Sequence, residues 1–231
     1  MNLNTFGGYI KGGDYDVLIT HGNAMMREDV TFDTLVVKGI LQTTVCRGRR
    51  IVMDGGILNS SREIVSDSLS GHGRICAQQH ISTQKIAFIG DMETNSRLTV
   101  EQGIRVNGSI NAKSLVTPRA KITGHTRIAE CAETGKLEIK PIHTAMFERF
   151  GMNEYLEPSN IQRINATNVV LCNTNCQKID AGYVALSGHT HVERVIYEGD
   201  LRLDKTSSVR LIEHRWDMED DEDDELQRKV A

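Results

Sequence analysis

Two histidines one residue apart, His189 and His191 in the run GHTH at 188–191, have the spacing to face a metal from one strand. A structural zinc site needs four ligands, and nothing nearby completes this pair. The run GHTR at 124–127 echoes it. The recurrence points to the chemistry of a repeated turn, so no metal is expected. Cys172 and Cys176, in CNTNC, lack a second pair; Cys172 follows the apolar run 169–171, and both are expected to be core cysteines. His72 and His80 would need an acceptor pocket beside them to act as a general base, and no long excursion near them could build one. The chain has no GK[ST] phosphate loop. Asp14, Asp16 and the acids of 220–224 are not spaced as a calcium loop. The expectation is a chain that is not an enzyme, with no catalytic residues and no cofactor.

What carries these residues is a repeat. Gly22, Gly39, Gly56, Gly73 and Gly90 lie seventeen residues apart. Four residues before them stand Leu18, Leu35, Val52, Leu69 and Ile86; two after, Ala24, Leu41, Leu58, Ile75 and Met92; eight after, Val30, Arg47, Ile64, Ile81 and Leu98. Only Arg47 is not apolar. Within one repeat the columns are six, six and five residues apart, as in Leu69, Ile75, Ile81 and Ile86. A helical face needs neighbours at three and four, so this is no helix. A short strand with alternating side chains and then a corner fits a six-residue side, and three sides close a triangular coil. Two residues past each column the side chain turns inward again. Those positions, from Val37 and Thr43 to Val106 and Ala112, are mostly small or β-branched, as a narrow interior requires. Glycine at a corner can take positive φ. The fold class expected is all-β: a triangular parallel β-helix, or β-solenoid, of ~17 residues per coil with one interrupting segment.

The boundaries follow from that beat. Residues 1–17 are glycine-rich and expected as a lead-in or cap. The first ladder covers 18–130, with one residue inserted before Ile104. Residues 131–162 break the beat with a loop or short helix that includes TAMFERFGMNEY (144–155). Residues 163–215 resume it: Gly182 and Gly199, Ile179 and Ile196, Val184 and Leu201, Leu186 and Leu203, and Val192 and Val209 are each seventeen apart. Residues 216–231 form an acidic tail, expected to be disordered because it carries charge and has little to bury.

Composition narrows the function classes. Aromatics are 5%, suited to a thin core, and the net charge of −4 is dominated by eight acids in 217–225. No part is basic enough to suggest nucleic acid. No charged-then-apolar leader follows Met1 and no run of eighteen apolar residues occurs. Five cysteines, an odd number without framework spacing, suit a reducing compartment, so a cytoplasmic location is expected.

The glycine–x–apolar–x–small rhythm of GRICA (73–77), GDMET (90–94) and GSINA (108–112), with TFDTLVVKG (31–39), resembles the bactofilins. YEGDLRLDKTSSVRLI (197–212) is similar to the carboxy-terminal part of longer, Firmicutes-type members. The similar parts span about residues 14–128 and 160–212. The order large-x-small, in Ile75-Cys76-Ala77 and Ile110-Asn111-Ala112, separates this rhythm from the small-x-large hexapeptide of acyltransferases. The resemblance implies a right-handed triangular β-helix, matching the general preference for right-handed parallel crossovers. It also implies a bacterial cytoskeletal polymer that assembles without nucleotide and supports cell-envelope or motility machinery. Family members reach the membrane through a short amino-terminal hydrophobic segment. MNLNT at 1–5 does not match one, so contact with the inner face of the membrane is expected only through partners.

A solenoid's special places are its two ends, where strand edges and a slice of core are open. The expected partner is another copy, stacked head to tail into an oligomer or filament. The expected interface residues are Leu18, Ile19 and Ala24 at one end and Val209, Leu211, Ile212 and Trp216 at the other. Two alternatives stay open. One is a hexapeptide-like acyltransferase with an active site between subunits, containing His72, His80, His189 or His191. The other is a non-polymeric β-helix binding module that recruits a partner through 144–155.

Overall fold

The computed structural model describes residues 1–27, 29–142 and 157–216. The strands are β1 (Asn2–Thr5), β2 (Gly8–Ile10), β3 (Gly13–Thr20), β4 (Asn23–Met26), β5 (Val30–Val37), β6 (Ile40–Thr43), β7 (Cys46–Ser60) and β8 (Ile64–Ala77). They continue as β9 (Ile81–Thr94), β10 (Arg97–Lys140), β11 (Ser159–Cys172), β12 (Thr174–Ser187), β13 (His191–Tyr197), β14 (Leu201–Leu203) and β15 (Ser208–His214). The pairings between these strands are parallel. The chain is a β-solenoid of about twelve turns.

Three ladders run along the stack. On the first face Leu3, Leu18, Leu35, Ile51, Leu69, Ile86 and Ile104 are successive register partners. On the second, Ala24, Leu41, Leu58, Ile75, Met92 and Ile110 follow one another. On the third, Cys46, Ile64, Ile81 and Leu98 do. The six–six–five spacing is therefore three sides of one turn. All of these except Leu3 are buried, and they form one continuous apolar core. Burying the row on each side is what stabilises the coil, at about 25 cal/mol per Å² of apolar surface removed from water.

Parallel register moves two columns by one residue. Leu35 pairs with Ile51, not Val52, and Cys46 stands in the column where the seventeen-residue count puts Arg47. Cys46 and Ile51 are fully buried; Arg47 is exposed and ion-paired with Glu63 at 2.7 Å. The one polar member of the column is thus replaced by a thiol. A bulge between Asp54 and Ile57 restores the count, and another between Val100 and Gly103 absorbs the insertion before Ile104. In the later coils Ile179 pairs with Val195, so Ile196 lies one residue off the column assigned by spacing.

The corner glycines carry the sharpest constraint. Gly73, Gly90, Gly108 and Gly124 have φ between +126° and +144°, in the region that favours glycine. They also stack: a Cβ on Gly90 would meet the Gly73 carbonyl oxygen at 2.1 Å, and one on Gly108 would meet that of Gly90 at 2.1 Å. Gly22 and Gly39 are not in that φ range. There crowding alone excludes a side chain, since a Cβ would come within 1.9 Å of the Phe6 oxygen and 2.1 Å of the His21 oxygen, respectively.

Residues 1–17 hold β1, β2 and most of β3, and β1 pairs with β3 just as β2 pairs with β4. They form a coil of the stack. At the other boundary the ladder runs on through Lys140, because Ala132, Leu137 and Ile139 fill buried inward positions. β11 then stacks on β10, with Ile128 on Ile161 and Leu137 on Val169. The coils on both sides of the interruption belong to one stack. The segment 144–155 and the acidic run 217–225 lie outside the described residues.

Candidate interaction surfaces at the solenoid ends

The histidines do not come together. His72 pairs in register with Asp54 and Ile89 on the first face, whereas His80 lies beyond the end of β8, across the strand 74–77. His80 Nε2 is 3.0 Å from Glu63 Oε2. His189 occupies a left-handed corner (φ 62°) after Gly188 (φ 59°), and His191 opens β13 with its Nδ1 2.7 Å from Ser208 Oγ. The corner separates the pair that spacing placed on one strand face. His125 Nδ1 is buried with no hydrogen-bond partner among the described residues. Among those residues no three His, Cys, Asp or Glu side chains gather as a metal-binding set.

The cysteines divide by the strand's period of two. Cys46 and Cys176 face inward, and burial pushes each thiol up to about 12. Cys172 is only half-buried, not the core residue its neighbours suggest. Leu171 before it points inward, so Cys172 must point outward.

The second face changes character along the stack. Up to Ala112 its inward pairs are large then small, as in Ile75 and Ala77. From Thr126 onward they are small then large: Ser159 then Ile161, Thr174 then Cys176, Thr190 then Val192. The large-x-small order therefore covers only the earlier coils. The buried hydroxyls are tied into the coil: Thr190 Oγ1 donates to the Ser187 carbonyl at 2.6 Å, and the Thr126 amide donates to Ser159 Oγ at 3.0 Å. Thr126 Oγ1 has no partner among the described residues.

Among the described residues, most of the exposed large apolar side chains lie near the two ends. At the amino-terminal end β1 and β2 each pair on one side only among the described residues. Phe6 is 77% and Tyr9 80% exposed, with Phe6 stacked on His21 at 4.8 Å between ring centres. Leu18 and Ala24 are fully covered by that first coil, and Ile19 is half-buried on the outer surface beside Asn4. All three sit one coil in from the edge. The first-coil groups Leu3, Phe6 and Tyr9 escape the seventeen-residue count because no glycine precedes Gly22 at that interval. Leu3 could have been found from the spacing of inward residues, fifteen before Leu18.

At the carboxy-terminal end β14 rests on β12 and β15 on β13. Val209 stacks on Val192 and Ile212 on Val195, so both continue inward columns. Leu211 pairs with Arg194 and lies beside the column, while Trp216 follows β15 and is 65% exposed. Leu203, stacked on Leu186 and 42% exposed, joins this slice; its seventeen-residue spacing from Leu186 is the signal for it. Ile212 is 45% exposed, whereas its partner Val195 is fully buried.

This open coil is nonetheless held firmly in shape. Asp204 accepts hydrogen bonds from the amides of Gly188 (2.8 Å), Ser207 (2.8 Å) and Thr206 (3.1 Å). Hydrogen bonding from Ser207, then from Gly188, holds its carboxyl below the usual carboxylate range. Arg194 forks onto Glu213 at 2.6 and 3.0 Å, and Arg215 joins Asp180 and Glu198. The end is a preformed surface with an apolar centre.

Compared with protein-family models, curated proteins and solved structures, the chain matches none.

Proposed function

We propose that this chain is a non-enzymatic scaffold that assembles with copies of itself through the ends of its β-solenoid, in the manner of the bactofilins it resembles. The observation that carries this reading is the last coil: Leu203, Val209 and Ile212 continue buried columns, yet no further coil among the described residues covers them. Parallel strands at one end of a stack present the complementary edge to those at the other, so a second copy can extend the ladders without a new fold. Such head-to-tail contact does not close on itself and yields oligomers or filaments without nucleotide. In this reading the assembly works in the cytoplasm, supports envelope or motility machinery, and meets the membrane through partners.

Sedimentation and negative-stain microscopy of the purified chain test the idea. The expected result is concentration-dependent assemblies that Ile212→Asp abolishes, because a buried unpaired carboxylate opposes closure of the joint. The variant keeps its β-rich circular dichroism, since position 212 lies in the terminal coil. A strict monomer at high concentration would sink the reading.

A further inference from the structure

On the first face, in the middle of the stack, cations gather without matching acids. Lys85, Arg105, Arg119, Lys121 and Lys136 are all exposed and border a recess of about 590 Å³ floored by Gly103, Ile104 and Ala120. Lys121 reaches Glu138 at 3.5 Å, but Lys140 already engages that carboxylate at 2.8 Å. Lys85, Arg105, Arg119 and Lys136 make no ion pair among the described residues. Elsewhere the exposed arginines divide between ion-paired ones, such as Arg47, Arg49 and Arg74, and ones without an ion pair among the described residues, such as Arg50, Arg62 and Arg97. Here four cations without an ion pair border a single recess, a concentration of positive charge that suits an anionic occupant.

We infer that the acidic segment 217–225 of the same chain docks on this basic face, running back along the corner between the third and first faces. Three observations converge. The first is charge: eight acids in 217–225 meet five cations of which four are unpaired. The second is the place of departure. Trp216 follows β15 at that same corner, where Arg119 and Lys136 also stand, and Arg215 reaches from there past Glu198 to Asp180 on β12. That contact is directed down the stack, towards the basic face. The third is reach. Four coils separate the strand that would follow Trp216 from that of Lys136, and six separate it from Arg105. At ~4.8 Å per coil these are about 19 and 29 Å. An extended chain of ~3.3 Å per residue brings residues 221–225 to about that range. The acids of 221–225 then lie over Lys136, Arg119, Lys121 and Arg105.

The inference is independent of end stacking, although a docked segment also carries its charge away from the apolar end coil. Its test is zero-length carboxyl–amine cross-linking of the full chain, read by mass spectrometry on a mixture of isotope-labelled and unlabelled protein. Expected are links from Lys121 and Lys136 to acids of 221–225 within single chains, reduced at least about fivefold in 0.5 M salt, where screening is short-ranged. Arg105→Gln with Arg119→Gln, which leaves both lysines in place, should lower the yield at least about threefold. Links confined to Lys205 or Lys229 would overturn the inference. So would links only between differently labelled chains, which would assign the face to a second copy. A short RNA, or vesicles containing anionic lipid, should bind more tightly when Asp220, Asp221, Glu222, Asp223 and Asp224 are changed to their amides. Equal binding by the two proteins would show the face to be free and overturn it as well.

Discussion

At the scale of single residues, the corner glycines and the cysteines make separable claims. Gly90 combines φ of +126° with a position where a Cβ would sit 2.1 Å from a backbone oxygen. Gly90→Ala is therefore expected to cost on the order of 3 kcal/mol, since it strains the backbone and pushes coils apart. Chemical denaturation measures it; a change below about 1 kcal/mol would mean that the corner relaxes freely. The thiols give a second prediction. Cys46 and Cys176 are buried and pushed up to about 12, so neither presents a thiolate near neutral pH. Alkylation followed by mass spectrometry should label Cys76 and Cys172 in the native protein, and Cys46 and Cys176 only after unfolding. The difference between Cys172 and Cys176 was not legible in CNTNC. It depends on which residue of each strand turns inward, and that is set by the neighbouring coil.

At the scale of the strand, the second face shows how one ladder can carry two packing schemes. In the early coils the bulk lies at Leu58, Ile75 and Met92 and the space at Ser60, Ala77 and Thr94; after Thr126 the two positions exchange roles. Thr174, fully buried between Ser159 and Thr190, occupies a position with room for a small side chain. Thr174→Leu should overpack it and cost about 1–3 kcal/mol, even though the same column accepts Leu58 and Ile75 in the earlier coils. Ile75→Ala should cost about 2–5 kcal/mol by leaving a cavity. Unfolding curves of the two variants check the contrast, and a stabilising Thr174→Leu would refute the exchange of roles. The seventeen-residue beat gave the strands and the inward columns of the early coils. It could not show the exchange, because the Ser and Thr positions that carry it are broken in sequence by the segment between Lys140 and Ser159.

At the scale of the whole molecule, the stack has two end faces that no coil among the described residues covers. Trp216, the sole tryptophan, stands at one of them. If copies join end to end, its fluorescence should shift to shorter wavelength as concentration rises, because the indole leaves water. Ile212→Asp should remove the shift. Emission that stays constant over the range in which assemblies sediment would place the joint elsewhere.

The sequence by itself determined the coil. Apolar residues six, six and five apart admit three short sides with alternating side chains, and glycines at the corners fit backbone too crowded for a Cβ. Only the tertiary structure decided which of two adjacent residues enters the core, Cys46 over Arg47 and Ile51 over Val52. A corner can absorb one residue, and the parallel register with the coils on either side settles which side chain faces in. The same holds for where the stack stops. Leu18 reads as an edge residue in the sequence, yet β1 covers it, because being an end depends on having no neighbour in space.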